Sequence, residues 1–362
     1  MLKSLKIENF RSFQSFELKQ LGRINLLVGE NNSGKTSILE AIQLLLCDSG
    51  DLKPLFELLL DRGEYLWHEN SQNSPWFDIE HLFYNHATTV NQYFSISSIN
   101  QTDHTKSLKV LVQPNEDTNS YNSLLNQMSG YNLSFQWQKY HQAYEQMIDL
   151  FHINNRLVTQ LKQKIPIGNS NHKANFVSNN YFSIETLVEL FDRYVLHPEE
   201  ALIYESLRII EPGLQRIAPN HSRYFQPVSY RGGFNVLLDD QPQPIPIGSM
   251  GEGIWRMLGL VLALVDTKDK VLLVDDIDAG LHFNTIYRMW KLIWKTTQKF
   301  NIQIFATTHS RDCWESLAEL VESENIDEGE ITIHRIEPGK PNSVLFDSEM
   351  MVIAANQGIE VR

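Results

Sequence analysis

With 362 residues, 42% of them hydrophobic, the chain holds enough apolar material for one large domain or two ordinary ones. Its formal charge of −13 excludes a wholesale electrostatic grip on nucleic acid and leaves only a local basic patch for DNA contact. Cys47 and Cys313 stand in no CxxC spacing, which argues against a disulfide framework or structural zinc. No apolar leader-like stretch and no run of eighteen apolar residues occurs, so a soluble protein of the reducing cytoplasm is expected, without a membrane span.

In chain order, the first segments read as strands over Lys3–Ile7 and Ile24–Val28, feeding a helix from Lys35 whose Ile38, Ala41, Ile42 and Leu45 share a face. Polar, Asn/Gln/Ser-rich sequence from about 65 to 245 surrounds alternating patches at Tyr93–Ile96, Leu108–Val112 and Leu133–Trp137, which predict an antiparallel sheet. Helical spacing follows at Ile184–Tyr194 and Glu199–Ile210, the second ended by Pro212 and Gly213. A strand is expected near Arg223–Val228, and the proline-rich QPQPIPIG reads as a loop or sheet edge. From about 250 a helix over Glu252–Val265, an apolar strand Val271–Val274, a helix after Phe283 and a strand Ile302–Ala306 suit a parallel sheet buried on both faces. The tail adds strands at Glu330–Ile336 and Ser343–Phe346. The expected organisation is an α/β P-loop NTPase in two sequence halves, 1–64 and 246–362, split by an inserted β-plus-helical lobe over 65–245.

The chemistry concentrates in two places. Gly29-Glu30-Asn31-Asn32-Ser33-Gly34-Lys35-Thr36 fits G-x-x-x-x-G-K-[ST], follows an apolar strand and opens a helix. Glycines there let backbone N–H groups turn inward onto phosphate oxygens, and the helix N-terminus adds partial positive charge. Lys35 is expected on the β and γ phosphates of ATP, Thr36 at Mg²⁺, and Ser37 among the residues around the nucleotide. Second, Val271-Leu272-Leu273-Val274-Asp275-Asp276-Ile277-Asp278 delivers carboxylates at the end of a buried strand, where ligands bind in open α/β sheets. Asp275 is the natural partner of Mg²⁺, and Asp276 is placed to act as general base on water. The D-x-D of Asp276 and Asp278 leaves a two-metal nuclease site as a competing reading, disfavoured because the strand already serves ATP.

These residues resemble the ABC-type ATPases of the SMC/RecF class, and most closely the AAA-family ATPases related to the OLD (overcoming lysogenization defect) proteins. The resemblance rests on IENFRSF near the N-terminus, the P-loop, Ser249-Met250-Gly251-Glu252-Gly253 before a helix, and VLLVDDIDAGLH followed by ATTHS. It covers both ends of the chain but not the middle. The long separation of Lys35 from Asp275 far exceeds one βαβ unit and fits a split ABC head.

The resemblance implies further roles. Ser249 and Gly251 correspond to the ABC signature, which in this class caps the γ-phosphate held by the opposite subunit, so a homodimer closed around ATP is implied. Asp278, Gly280 and His282 resemble the loop that crosses that interface, His309 resembles the switch histidine that senses γ-phosphate, and Arg11 matches an arginine near the nucleotide, against a competing salt-bridge reading. Two departures stand out. The family usually has glutamate at the position of Asp276, so slow hydrolysis is expected. Too few residues follow His309 for the TOPRIM nuclease domain of OLD proteins, so a nuclease partner is expected as a separate chain. The function implied is an ATPase that regulates an effector in DNA processing or phage defence. The alternatives are a nucleotide-gated scaffold with negligible hydrolysis and a DNA-tethering head.

Overall fold

The computed structural model describes residues 1–47, 51–67, 75–86, 88–115, 130–139, 142–153, 156–160, 173–177, 183–220 and 233–362. They fall into two compact units, each drawn from separate stretches: Met1–Leu21, Asn31–Lys173 and Ile336–Val344 in the first; Gly22–Glu30, Ala174–Arg335 and Leu345–Arg362 in the second. These borders differ from the sequence-expected ones at 64/65 and 245/246. The strand expected near Arg223–Val228 lies outside the described residues.

The first unit is built on a nine-stranded antiparallel sheet. β1 (Leu2–Phe10) and β2 (Phe13–Leu18) form a hairpin at one edge. The sheet continues through β6 (Tyr93–Asn100), β7 (Thr105–Pro114), β8 (Tyr131–Lys139), β9 (Gln142–Ile153), β10 (Arg156–Gln160) and β5 (Trp76–Asp78) to the two-residue β4 (Tyr65–Leu66). Strict alternation sends Phe94 and Ile96, Leu108, Val110 and Val112, and Leu133, Phe135 and Trp137 to the buried side, because side-chain period 2 puts every second residue on one face. Helix α1 (Lys35–Leu46), nearly all buried, packs on β1, β6 and β7, and α2 (Lys53–Asp61) packs on α1 and β5. The hairpin β1–β2 therefore shares its sheet with the strands of the polar middle region and not with the parallel strands downstream.

The second unit carries a six-stranded sheet ordered β11 (Ala174–Val177), β15 (Val271–Val274), β16 (Gln303–Thr307), β3 (Ile24–Val28), β17 (Ile331–Arg335) and β18 (Val344–Phe346). The pairs from β11 through β17 are parallel. Every residue of β3, β15 and β16 is buried, so these strands are covered on both faces, as their unbroken apolar runs require. The covering helices are α3 (Ile184–Tyr194), α4 (Glu200–Ile210), α5 (Glu252–Asp266), α6 (Phe283–Phe300), α7 (Arg311–Ser323) and α8 (Ser348–Gln357). Ser183, Ser310 and Asp347 cap α3, α7 and α8 by accepting first-turn N–H groups. A small sheet of β12 (Leu214–Pro219), β13 (Phe234–Leu238) and β14 (Ile245–Pro246) leads into α5, with the proline-rich stretch at its edge. No helix among the described residues is long and apolar enough to cross a membrane.

Candidate functional site

Because β3, β15 and β16 run parallel, the segments that follow them leave from one edge of the sheet. Gly29 follows β3, Asp275 and Asp276 follow β15, and Thr308 and His309 follow β16. This is the edge at which an open α/β sheet binds ligands.

The carboxylate cluster is organised by two threonines. Thr307 Oγ1 donates to Asp275 Oδ1 at 2.6 Å and accepts the Asp276 N–H at 2.8 Å, which ties both aspartates to the end of β16. Thr308 Oγ1 donates to Asp278 Oδ1 at 2.6 Å, and the Ile277 N–H bonds the Thr307 carbonyl. Asp276 has φ of 49°, a left-handed conformation that aspartate tolerates better than most residues. Its Oδ1 lies 3.9 Å from His309 Nε2, both side chains being partly exposed. Asp275, Asp276, Asp278 and His309 are thus brought together. The Asp278 carboxylate faces Thr308 of its own chain.

Asn31–Ser37 form the turn and first residues of α1. Gly29, Asn32 and Gly34 have φ of 145°, 61° and 98°, so the loop alternates into backbone regions open chiefly to glycine and asparagine. At Gly34 a Cβ would lie 2.4 Å from the Phe13 ring and 2.8 Å from Ser12 Oγ, so a side chain is excluded twice, by φ and by space. Lys35 and Ser37 are buried, Thr36 is half-buried, and Glu30, Asn31 and Asn32 are exposed. The Ser33 hydroxyl is buried with no hydrogen-bond partner among the described residues, a costly arrangement unless a ligand oxygen satisfies it. No carboxylate occupies the first turn of α1. A phosphate group fits this donor set: glycine-shaped backbone, a buried hydroxyl, a lysine and a helix N-terminus with no acidic residue in its first turn.

Ser249 is exposed in a 3-10 turn over Ile247–Met250, and Gly251, at φ 90°, precedes α5 with no described residue within 4 Å of a built Cβ. The next glycine is the opposite: a Cβ at Gly253 would meet the Gly280 carbonyl oxygen at 2.9 Å, and one at Gly280 would meet Glu252 Cγ at 2.8 Å. The start of α5 and the turn after β15 therefore touch backbone to backbone. His282 caps α6, its Nδ1 accepting the Asn284 N–H at 3.3 Å.

Arg11 is the residue whose surroundings depart from expectation. Its side chain is buried, with Nε 2.5 Å from Glu40 Oε2 and a second nitrogen 2.7 Å from Glu64 Oε1. Arg62 adds a contact to Glu40 at 2.6 Å. Burial pushes the Glu40 carboxyl up, against the pull of Arg11 and Arg62. The competing salt-bridge reading describes this geometry, with the difference that the pair is buried and not at the surface.

A sequence profile of the AAA ATPase domain matches residues 1–156 and 138–313 of the chain. The chain belongs to the AAA ATPase domain family. An ATP/GTP phosphatase of Helicobacter pylori is 23% identical over 353 residues, spanning 89% of this chain and 88% of that protein. The DNA replication and repair protein RecF of Clostridioides difficile is 50% identical over 44 residues, 12% of each chain. Among solved structures, an SMC head bound to the C-winged-helix domain of ScpA is similar over 96% of this chain and 97% of its own, with a TM-score of 0.47 and 15% identity.

Within this AAA ATPase domain chain, Thr307, Thr308 and Gly253 are residues that sequence reasoning passed over. A signal existed for the threonines: ATTHS ends a buried strand, and a hydroxyl there needs a partner, which the adjacent carboxylates supply. Nothing in the sequence signalled the backbone contact of Gly253 with Gly280.

Proposed function

We propose that this AAA ATPase domain chain binds ATP with Mg²⁺ through Gly29–Ser37 and hydrolyses it slowly, closing as a homodimer around the nucleotide to operate a partner protein. The observation that carries the reading is the Gly29–Ser37 loop itself, in which a sterically pinned Gly34, a buried lysine and an unsatisfied buried Ser33 hydroxyl converge in one phosphate-shaped turn.

In this reading Lys35 neutralises the β and γ phosphates, while Thr36 and Asp275 hold the metal ion, whose chemistry when bound is to neutralise charge developing on the phosphate oxygens. Asp276 accepts the proton of the attacking water, and His309, close to Asp276, orients that carboxylate. Ser249 and Gly251 cap the γ-phosphate of a second copy, supported by their exposure. Arg11 works through Glu40 as a brace for α1, the P-loop helix, and not as a nucleotide ligand. The partner is a separately encoded TOPRIM-like nuclease or other effector, in line with the kinship to OLD proteins drawn from IENFRSF, the signature and ATTHS. The cytoplasm is its place of action.

The test is ATP and GTP binding and steady-state hydrolysis with and without Mg²⁺, on the wild type and Lys35→Ala. Removing the main positive charge from a preformed cradle is expected to lower nucleotide affinity by about tenfold to a hundredfold, the worth of a charge-assisted contact of about 1.5–3 kcal/mol. Equal affinity in the variant would sink the P-loop assignment.

A further inference from the structure

Outside the residues assigned to the nucleotide, the first unit holds two histidines in an unusual relation. His81 Nδ1 and His86 Nδ1 face each other at 3.0 Å, with ring planes near perpendicular at 82°. Both rings reach solvent. We propose that His81 and His86 form a binding site for a divalent first-row transition metal ion, Cu²⁺ or Ni²⁺ in preference to Zn²⁺.

Geometry comes first. Two nitrogens 3.0 Å apart, each bound to one ion at about 2.0–2.1 Å, subtend about 90° at it. That is the cis angle of tetragonal and octahedral coordination, whereas tetrahedral zinc spreads its ligands wider. The nitrogen spacing already matches that angle, and the two rings, now in hydrogen-bond contact, need only turn so that both lone pairs meet at the ion.

The tautomer is also supported. A metal-binding histidine donates its remote N–H to a carboxylate that fixes the ring and raises its basicity. His81 Nε2 lies 3.7 Å from Oδ2 of Asp78, whose side chain is buried and whose same oxygen is held by Arg156 at 3.0 Å. With its proton on Nε2, His81 offers Nδ1 as a lone pair to the His86 Nδ1–H, and a metal ion binds both nitrogens by displacing that single proton.

The scaffold is stiff. Leu82 and Phe83, between the two histidines, are fully buried. The Glu80 N–H bonds Asp78 Oδ1, the Phe83 N–H bonds the Glu80 carbonyl, and the His86 N–H bonds the Phe83 carbonyl. From β1–β2, the Arg11 N–H bonds the Leu82 carbonyl at 2.9 Å and its guanidinium reaches the His81 carbonyl at 3.4 Å. Ligands held this way bind without a large ordering cost. Among the described residues no group of three or more His, Cys, Asp or Glu side chains is placed to hold a metal, so the protein supplies two donors and water the rest.

The experiment is calorimetric titration of the untagged full chain with Ni²⁺ and with Cu²⁺, beside His81→Gln and His86→Gln, whose folding is checked by thermal melting. One site saturating at one ion per chain is expected in the wild type, with Ni²⁺ and Cu²⁺ bound more tightly than Zn²⁺. Each variant is expected to lose at least about tenfold in affinity, the scale that even outer partners of a metal site carry. A second measurement needs no variant: substoichiometric Cu²⁺ added to histidine-labelled wild type is expected to broaden the His81 and His86 ring resonances before those of the other histidines. Unchanged affinity in both variants, or broadening that begins elsewhere, overturns the proposal.

Discussion

At the scale of single residues the question is how two adjacent aspartates divide their work. Asp275 is held in place by the Thr307 hydroxyl, while Asp276 bends into a left-handed conformation and turns toward His309. The substitution of aspartate for the glutamate usual in the resembling ATPases thus has a local reason, since a short side chain suits φ of 49° better than a long one. In the role proposed for Asp276, the shorter side chain holds the carboxylate one methylene further from the water, and positioning errors of about 1 Å cost roughly a hundredfold in rate. Asp276→Asn is expected to bind ATP within a few-fold of wild type and to lose about a hundredfold or more in single-turnover hydrolysis, the usual contribution of a general base. Asp275→Asn is expected instead to raise the Mg²⁺ concentration needed for half-maximal rate. Wild-type single-turnover rates in Asp276→Asn would move water activation to His309. The pair was legible in the sequence because the carboxylates end an apolar strand in a chain that also carries a P-loop; alone they would read as a solvated turn. The threonine clamp was not, because it depends on β16 lying beside β15, a pairing across some thirty residues of chain.

Among elements, legibility followed burial and period. The strands at Ile24, Val271 and Ile302 and the helices at Lys35, Ile184, Glu252 and Phe283 appear where their apolar patterns place them. The structure adds what pattern alone did not show: β11, a four-residue strand from the polar middle region, pairs in parallel with β15, and the β1–β2 hairpin joins the antiparallel sheet. Four residues carry too little period to distinguish strand from loop. The β3–β17 pair also hides a titration. His334 of β17 is fully buried, its Nε2 3.2 Å from Thr332 Oγ1, which donates to Asn25 of β3, and burial lowers its pKa to about 4 from 6.5. Well above pH 6.5 the histidine is neutral whether folded or unfolded and contributes no pH dependence. As pH falls toward 4 the unfolded chain takes up a proton that the folded chain refuses, so stability drops by about 3 kcal/mol across that window. His334→Gln is expected to flatten the denaturation free energy between pH 7 and pH 4.5 by about 2–3 kcal/mol relative to wild type. Parallel pH profiles in the two proteins would mean that His334 is not the group responsible.

At the scale of the whole molecule, the proposed second copy sets the conditions for association. Ser249 and Gly251 are exposed at the start of α5, and no described residue lies within 4 Å of a Cβ built on Gly251, which leaves this segment room for the second copy proposed above. Its neighbour Gly253 lies close against the Gly280 carbonyl, so the start of α5 packs directly on the turn that follows Asp278. Opposing association is charge: two copies at −13 each repel, and the triphosphate adds to the repulsion unless Mg²⁺ and Lys35 offset it. Dimerisation is therefore expected to require both ATP and Mg²⁺, and to strengthen with moderate salt as screening shortens the reach of that repulsion. Binding to DNA by a local basic patch would weaken over the same salt range, which separates the dimer reading from that of a DNA-tethering head. The measurement is sedimentation velocity on Asp276→Asn, chosen so that slow hydrolysis does not reopen the complex, across nucleotide and salt. Ser249→Arg in that background is expected to keep ATP binding within a few-fold and to weaken the dimer by at least tenfold, about 1.4 kcal/mol, because a long cation then occupies the place of the capping hydroxyl. A mass that stays monomeric at saturating ATP and Mg²⁺ would count against the sandwich, as would a dimer that forms equally without nucleotide. In the second case the two copies meet through some other face, and Ser249→Arg would leave the mass unchanged.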